Sequence, residues 1–336
     1  ASASAGIMSL SIADAKKAVA GTVPSLTLYL IRHAESMNNK VCYDYGSQGW
    51  AKYLRFPDPD LSELGTRQAI MLGEYVESSV DPIAEHLRSC RGLGDRFALY
   101  SSPQRRALKT TWGLAKGMGL PPVTVIPTAF EHGGCFHKYP EMAELRGVAA
   151  LTAAGADAHK VASAHLKETH YPGLSTAEVL DNAAVSKALN LPEETAIFVD
   201  VEAGMDKGWW AGDEVEPRQG CWDRGVALAD RFVEMARVGT KDVVTLVSHG
   251  DLMDCILKSL VLRGMDPALQ DAACRFVHTN TGITRVEIAR DGTAFLLKYN
   301  TTPHLDVDPS LHTGGEFVHD WHEWDRLHNG KPVGHL

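Results

Sequence analysis

Short β-branched or apolar runs recur along the chain at 26–31 (LTLYLI), 96–100 (RFALY), 123–126 (VTVI), 196–199 (AIFV) and 243–247 (VVTLV). Runs of this length, bounded by polar or turn residues, read as strands buried on both faces. Helical periodicity fills most of the intervals. Residues 62–79 open at Ser62, a good N-cap, and place Ala69, Leu72 and Val76 on one face. Residues 104–117 follow Ser102-Pro103, proline being tolerated in a first turn. Residues 218–237 and 250–263 are further helices. Alternating strand and helix predicts an α/β fold, a doubly wound and mostly parallel sheet flanked by helices. A late pair, 283–288 and 295–299, is joined by ARDGT. Its Asp291-Gly292 predicts an antiparallel hairpin at or near the sheet edge.

The 336 residues are read as a single domain, a length at which one sizeable core is normal. No internal repeat or low-complexity linker divides them. Residues 132–195, with Gly-Gly, Tyr-Pro and an Ala-rich stretch but no clear strand, read as an inserted lid. The tail, 303–336, has few apolar residues and several Trp and His, and is expected to wrap the surface.

The formal net charge is −9. Such a chain has no general pull on nucleic acid or an anionic membrane, so an anionic ligand needs locally clustered Arg and His. No apolar run approaches the ~20 residues of a membrane span. The six cysteines are scattered without a C-x-x-C, which reads as reduced thiols in a cytoplasmic protein. The opening ASASAGIMSL lacks a basic region and is not an intact secretory signal. It reads either as foreign residues before Met8 or as the remnant of an organellar leader.

The chemistry is expected at the carboxyl ends of the strands, where open α/β sheets bind ligands. The first strand ends in Arg32 and His33, followed by Glu35, Ser36 and Asn39. The second delivers Arg105 and Arg106, and the fifth delivers His249 just before Gly250 and a helix. A helix N-terminus adds backbone N–H groups and a positive dipole end. Together these make a pocket for a dianion, with arginine forks matched to phosphate oxygens. A neutral imidazole in such a pocket can attack phosphorus and form a phosphohistidine. The flanking cations would neutralise the equatorial oxygens, and a carboxylic acid would protonate the leaving alkoxide. Glu131, in TAFEHGGC shortly after the third strand, is the candidate acid.

These segments carry a resemblance. RHAES with Asn39 resembles the R-H-G-[ET]-x-x-x-N signature of the histidine phosphatase superfamily, which includes the cofactor-dependent phosphoglycerate mutases. DPDLSELGTRQA, SSPQRRALKTT, VSHGD and TNTGITRVEI resemble its further motifs in the family's order, over roughly 26–131 and 243–300. The resemblance implies a phosphoglycerate mutase-like fold, His33 as nucleophile, and Arg32, Arg106 and His249 as phosphate ligands. It also implies Asn39 as a pocket group and Glu131 as proton donor. Ser36 and the backbone at Gly250 are added as phosphate-binding candidates. It implies phosphomonoester hydrolysis without metal or other cofactor, on a phosphorylated small molecule or phosphoprotein.

Ala34 replaces the usual glycine, a mild departure. The chain reads E-H-G-G where mutases read E-R-H-Y-G-G, and it lacks W-R-R, which favours a phosphatase. Mutase-type phosphoryl transfer and a phospho-ligand-binding scaffold are the alternatives. Asp251 reads as a complement to the helix dipole, Arg105 as a solvated helix residue, and Cys135 and Cys255 as packing thiols. Trp209-Trp210 could line a substrate wall or pack a lid, and residues 15–19 (AKKAV) read as an exposed helical turn. His312, His319, His322 and His328 lack a ligand spacing that specifies a metal.

Overall fold

The computed structural model of the chain describes residues 24–45, 58–134, 198–201, 216–265 and 274–315. Its strands are β1 (Pro24–Arg32), β2 (Phe97–Ser101), β3 (Val123–Val125), β4 (Phe198–Val201), β5 (Val243–Ser248), β6 (Ile283–Ala289) and β7 (Ala294–Thr301). They form one seven-stranded sheet in the order β4-β3-β2-β5-β1-β6-β7. Neighbours from β4 to β1 run parallel, whereas β6 is antiparallel to both β1 and β7. The late hairpin therefore forms one edge of a mostly parallel sheet, as its turn chemistry predicted.

The unbroken apolar run of β1 follows from burial on both faces. Leu26, Leu28 and Leu30 join one core cluster, and Tyr29 and Ile31 the other. The helices are α1 (Met37–Tyr45), α2 (Glu63–Ser78), α3 (Pro82–Ser89), α4 (Arg105–Gly117), α5 (Arg218–Val238) and α6 (Gly250–Val261). The face carrying Tyr29 packs Leu72, Val76, Ile83, Leu87 and Leu108 from α2, α3 and α4. The opposite face packs Leu228, Phe232, Leu252 and Ile256 from α5 and α6. The sheet is thus covered on both sides, each fully buried Leu or Ile contributing roughly 1.5–3 kcal/mol. Helices α2 and α4 approach closely because Gly73 faces Gly117, where a Cβ would lie 2.1 Å from the Gly73 carbonyl oxygen.

Strand register sets the site. Arg32 pairs with Ser248, and Val247 pairs with both Ile31 and Ser101. The residues that follow these three strands therefore leave the sheet at one level.

Helix α4 differs from expectation at its start. It begins at Arg105 behind Gln104, which makes no side-chain cap bond, so Pro103 precedes the helix. Instead the Arg105 amide donates to Asp58, 3.1 Å to Oδ1 and 3.3 Å to Oδ2, a cap supplied from outside the helix. Helices α1 and α3 were not anticipated. The Asn38-Asn39 pair in α1 has poor helix propensity, whereas α3 carried a legible start in Asp81-Pro82.

The described part of the tail turns inward. Leu305 and Leu311 are buried. Gln68 Nε2 donates to the Leu311 carbonyl at 2.7 Å, and the Asn280 amide donates to that of Thr313 at 2.7 Å. The Gly314 amide donates to the Tyr43 hydroxyl. Most of the expected lid, Cys135, Trp209, Trp210, residues 1–23 and the tail beyond Gly315 lie outside the described residues. Among the described residues, no helix is long and apolar enough to cross a membrane.

Candidate active site

His33 follows β1 and is 2% exposed. Its Nδ1 lies 2.6 Å from the Ala34 carbonyl oxygen, which can only accept, so Nδ1 carries the proton. Nε2 then holds a lone pair, and Arg106 Nε donates to it at 3.2 Å. Burial first, and then the charges of Arg106 and Arg32, push the His33 pKa well below its usual value. The imidazole is therefore neutral with a bare nitrogen inside a cationic pocket.

His249 caps α6, with its ring centroid 5.0 Å from that of His33. Its Nε2 is 2.6 Å from Ser102 Oγ, which also accepts the Gln104 amide at 3.3 Å. Where the hydroxyl donates to Nε2, the His249 proton sits on Nδ1. That Nδ1 is buried without a hydrogen-bond partner. Burial, with Arg106, His33 and Arg32, pushes this pKa well down too. Both rings then carry the proton on Nδ1, His33 keeping a lone pair on Nε2 beside Arg106 and His249 an N–H without a partner.

Arg32 Nη1 donates to the His278 carbonyl at 2.5 Å, and its buried Nε has no hydrogen-bond partner. A Cβ on Gly250 would lie 3.7 Å from that Nε, so the guanidinium rests against the first turn of α6. Arg106 Nη2 donates to Gln104 Oε1 at 3.0 Å, and its Nη1 is 3.8 Å from Asp58 Oδ1. Burial raises the Asp58 pKa to about 7 against the pull of Arg106 and Arg105.

Glu131 follows the short helical turn Pro127–Ala129. Its amide donates to Gln104 Oε1 at 3.0 Å, the oxygen that also receives Arg106. Its carboxylate accepts the His132 amide at 2.8 Å. Burial and then the charge of Asp251 raise its pKa to about 7, opposed by Arg106. Asp251 occupies the first turn of α6, as expected, 3.7 Å from Arg218 and 3.9 Å from His132.

Ser36 and Asn39 engage each other at the start of α1. Ser36 Oγ accepts the Asn39 amide at 3.2 Å, and Asn39 Oδ1 accepts the Ser36 amide at 3.1 Å, a reciprocal cap. Asn280 Nδ2 donates to Asn39 Oδ1 at 3.4 Å and to the His33 carbonyl at 2.9 Å. Arg105 is not freely solvated, because it lies 3.8 Å from Asp60, which also binds Lys109 at 2.6 Å. Cys255 is buried on α6, its Sγ 4.0 Å from that of Cys221 on α5.

Residue-level reading missed Asp58, Ser102, Gln104 and Asn280, although all four lie inside the motif stretches. Of the four only Gln104 adjoins one of the arginines in sequence, and only convergence in space gives them a role. Among the described residues, no group of three or more His, Cys, Asp or Glu is arranged to hold a metal ion. His312 is near Thr302 Oγ1 at 3.3 Å and Asp306 at 3.7 Å, while His319, His322 and His328 lie outside the described residues.

An open α/β sheet with Arg-His, Arg and His gathered at its carboxyl edge is the class of protein at hand. Residues 28–145 match the family model of the histidine phosphatase superfamily (branch 1). No curated protein matches the chain. Among solved structures it is similar to a phosphoserine phosphatase from Entamoeba histolytica at 19% identity and a TM-score of 0.41, covering 83% of this chain and 99% of that one. It is also similar to a phosphoglycerate mutase from Bacillus anthracis at 18% identity and a TM-score of 0.41, covering 84% and 95%. A putative phosphohistidine phosphatase from Agrobacterium tumefaciens follows at 13% identity and a TM-score of 0.31, covering 82% and 97%. At these scores the likeness says nothing of substrate or mechanism.

Proposed function

We propose that the chain is a phosphomonoester hydrolase acting through a phosphohistidine on His33. The observation that carries this is the unprotonated Nε2 of the neutral His33 ring, which meets Arg106 and feels the charge of Arg32 as well. In the first step Nε2 bonds to phosphorus as the ester P–O bond breaks. The leaving oxygen takes the proton of Glu131. In the second step a water oxygen bonds to phosphorus as the N–P bond breaks, and the Glu131 carboxylate takes the water's proton. Arg32, Arg106 and the Nδ1 proton of His249 meet the charge on the transferring group. The phosphate displaces the Arg106 contact with Nε2, so one donor serves the resting and the loaded site.

The substrate is a phosphorylated small molecule or phosphoprotein. E-H-G-G without W-R-R supports hydrolysis over mutase transfer. A sheet drawing strands from Pro24 to Thr301 supports reading the chain as one domain. Free thiols support a cytoplasmic setting.

The test compares an alkyl phosphate with p-nitrophenyl phosphate, whose leaving group needs little protonation. His33→Ala forms no acid-labile, base-stable phosphoenzyme with either. Glu131→Gln loses ~10²–10⁴-fold on the alkyl ester and little on the aryl ester. Alkyl turnover in the native enzyme declines as pH rises through about 7, where Glu131 loses its proton. Equal losses on both esters remove Glu131 as the acid. A phosphoenzyme on the His33 variant removes the mechanism.

A further inference from the structure

Residues 128–131 lead into the site, and side chains from other elements hold their backbone. The Thr128 and Phe130 carbonyls each accept from Arg224 Nη1 at 2.7 Å. The Ala129 carbonyl accepts from Ser248 Oγ at 3.0 Å, and the Glu131 amide donates to Gln104 Oε1 at 3.0 Å. Four successive residues are thus fixed at one backbone group each. Arg224 holds two of the four from α5. Its Nε and Nη2 donate to Glu216 Oε1 and Oε2 at 2.7 and 2.6 Å. Its guanidinium also lies over the Phe130 ring, 3.7 Å from the centroid. The Arg224 and Glu216 side chains are only 12% and 9% exposed.

We propose that Arg224, oriented by Glu216, is the positioning residue of the acid, and that it sets where the Glu131 carboxyl meets the leaving oxygen. The inference rests on the reading of Glu131 as proton donor. Only a planar fork can serve two carbonyls two residues apart, a carboxylate and an aromatic face together. A lysine ammonium keeps the charge but cannot fill these directions. Such charge-assisted bonds are short and geometrically specific. A general acid needs that precision, because it must stand within hydrogen-bond reach of the atom it protonates. Arg224 acts through Glu131, so its loss falls on reactions that need a proton at the leaving oxygen.

The experiment measures kcat on an alkyl phosphate and on p-nitrophenyl phosphate for Arg224→Lys, Arg224→Met, Glu216→Gln, Glu131→Gln and the double variant Glu131→Gln/Arg224→Lys. Arg224→Lys is expected to lose ~10-fold or more on the alkyl ester and less than about 3-fold on the aryl ester, a share of the full general-acid contribution. In the Glu131→Gln background it should add no alkyl loss, because the two act as a unit. The alkyl pH limb near 7 should move in Arg224→Lys and not in the aryl profile. If Arg224→Met fails to fold, Arg224→Lys and Glu216→Gln carry the test. Equal loss on both esters, or no loss on either, with Glu131→Gln still selective, overturns the role of Arg224 and leaves Glu131 as the acid. Loss of that selectivity in Glu131→Gln removes the acid itself, and the inference with it.

Discussion

Helix α6 joins two cationic clusters that are neutralised in opposite ways. At its N-terminus stand Arg32, Arg106, His33 and His249. Arg32 Nε and His249 Nδ1 are buried without a hydrogen-bond partner. The nearby carboxylate, Asp58, keeps 3.8 Å from Arg106, and burial drives it toward protonation. About one turn along, Asp254 is 2% exposed and its carboxylate is fully engaged. Oδ2 meets Arg218 at 3.1 Å, Lys258 at 3.0 Å and Arg275 at 2.7 Å, and Oδ1 accepts the Phe276 amide at 2.8 Å. The first cluster keeps donors in reserve for an anion that arrives. The second closes on an anion the chain carries. They are also joined in sequence, because Asp254 fixes Phe276, and His278 two residues on accepts from Arg32. The structural cluster holds the backbone against which the functional arginine is set.

The sharpest break of this comparison is Asp254→Ala. Removing one partner of a buried ion cluster leaves uncompensated charge, so the variant should lose roughly 3–5 kcal/mol in urea unfolding. Its turnover per folded molecule should change far less than that of Arg32→Met. Arg32→Met should lose activity with little loss of stability, because it removes a buried cation whose charge is incompletely met. A loss below about 1 kcal/mol in Asp254→Ala places that carboxylate in the surface-pair class and ends the contrast.

Acid should separate the clusters next. The pKa values of His33 and His249 are pushed well below 6.5, and those of His278 and His304 fall to about 3. For each, the unfolded chain binds more protons below 6.5, so stability rises with pH in that window and is lost on acidification. Asp58 and Glu131 act oppositely. Their folded pKa values are raised to about 7, so their contribution is full below the usual carboxylate range and is lost as pH rises through about 7. Below pH 6.5 the histidines outnumber these carboxylates, and net stability should fall on acidification. Burial first, and then the charge of Arg32, depress the His278 pKa, and His278→Phe should flatten the slope by ~1.4 kcal/mol per pH unit, one proton's worth. An unchanged slope between pH 4.5 and 6.5 means that the His278 ring takes up its proton in the folded state as readily as in water.

The same contrast explains what could be seen in advance. The expected strand runs fell within two residues of the observed ones, because a strand buried on both faces writes a continuous apolar run. Arg32, His33, Arg106 and His249 were legible because a charge at the end of such a run has no packing reason to be there. Asp254 was not legible. Lys258 lies one turn along the same helix while Arg218 and Arg275 lie on other segments, and nothing local in the sequence distinguishes a buried salt cluster from a solvated helix face. Gln104 and Ser102 were hidden for the opposite reason, as polar residues in a turn where polar residues are ordinary. Helix α1 was missed because its residues have weak propensity, and its start is closed by a local reciprocal cap between Ser36 and Asn39 in which Asn stands where the usual capping box has Glu or Gln.

The smallest effect concerns the tautomer of His249, and Ser102 is the residue that decides it. Ser102 Oγ gives a lone pair to the Gln104 amide, and its proton is free for His249 Nε2. That leaves Nδ1–H as the donor for an equatorial phosphate oxygen, while His33 keeps its Nε2 bare beside Arg106. In Ser102→Ala the ring can place its proton on either nitrogen. The tautomer with a bare Nδ1 would oppose a lone pair to the phosphate. The variant should lose about 10-fold in kcat/KM, near 1.4 kcal/mol, the net worth of one hydrogen bond to a charged group. Because phosphate is met in both steps, alkyl and aryl esters should suffer alike, unlike the Arg224 and Glu131 variants. Ser102→Thr keeps the hydroxyl and should restore most of the rate. If Ser102→Ala turns over like the native enzyme, His249 holds its proton on Nδ1 without help. If Ser102→Thr is as impaired as the alanine variant, the space at Ser102 matters and not its proton.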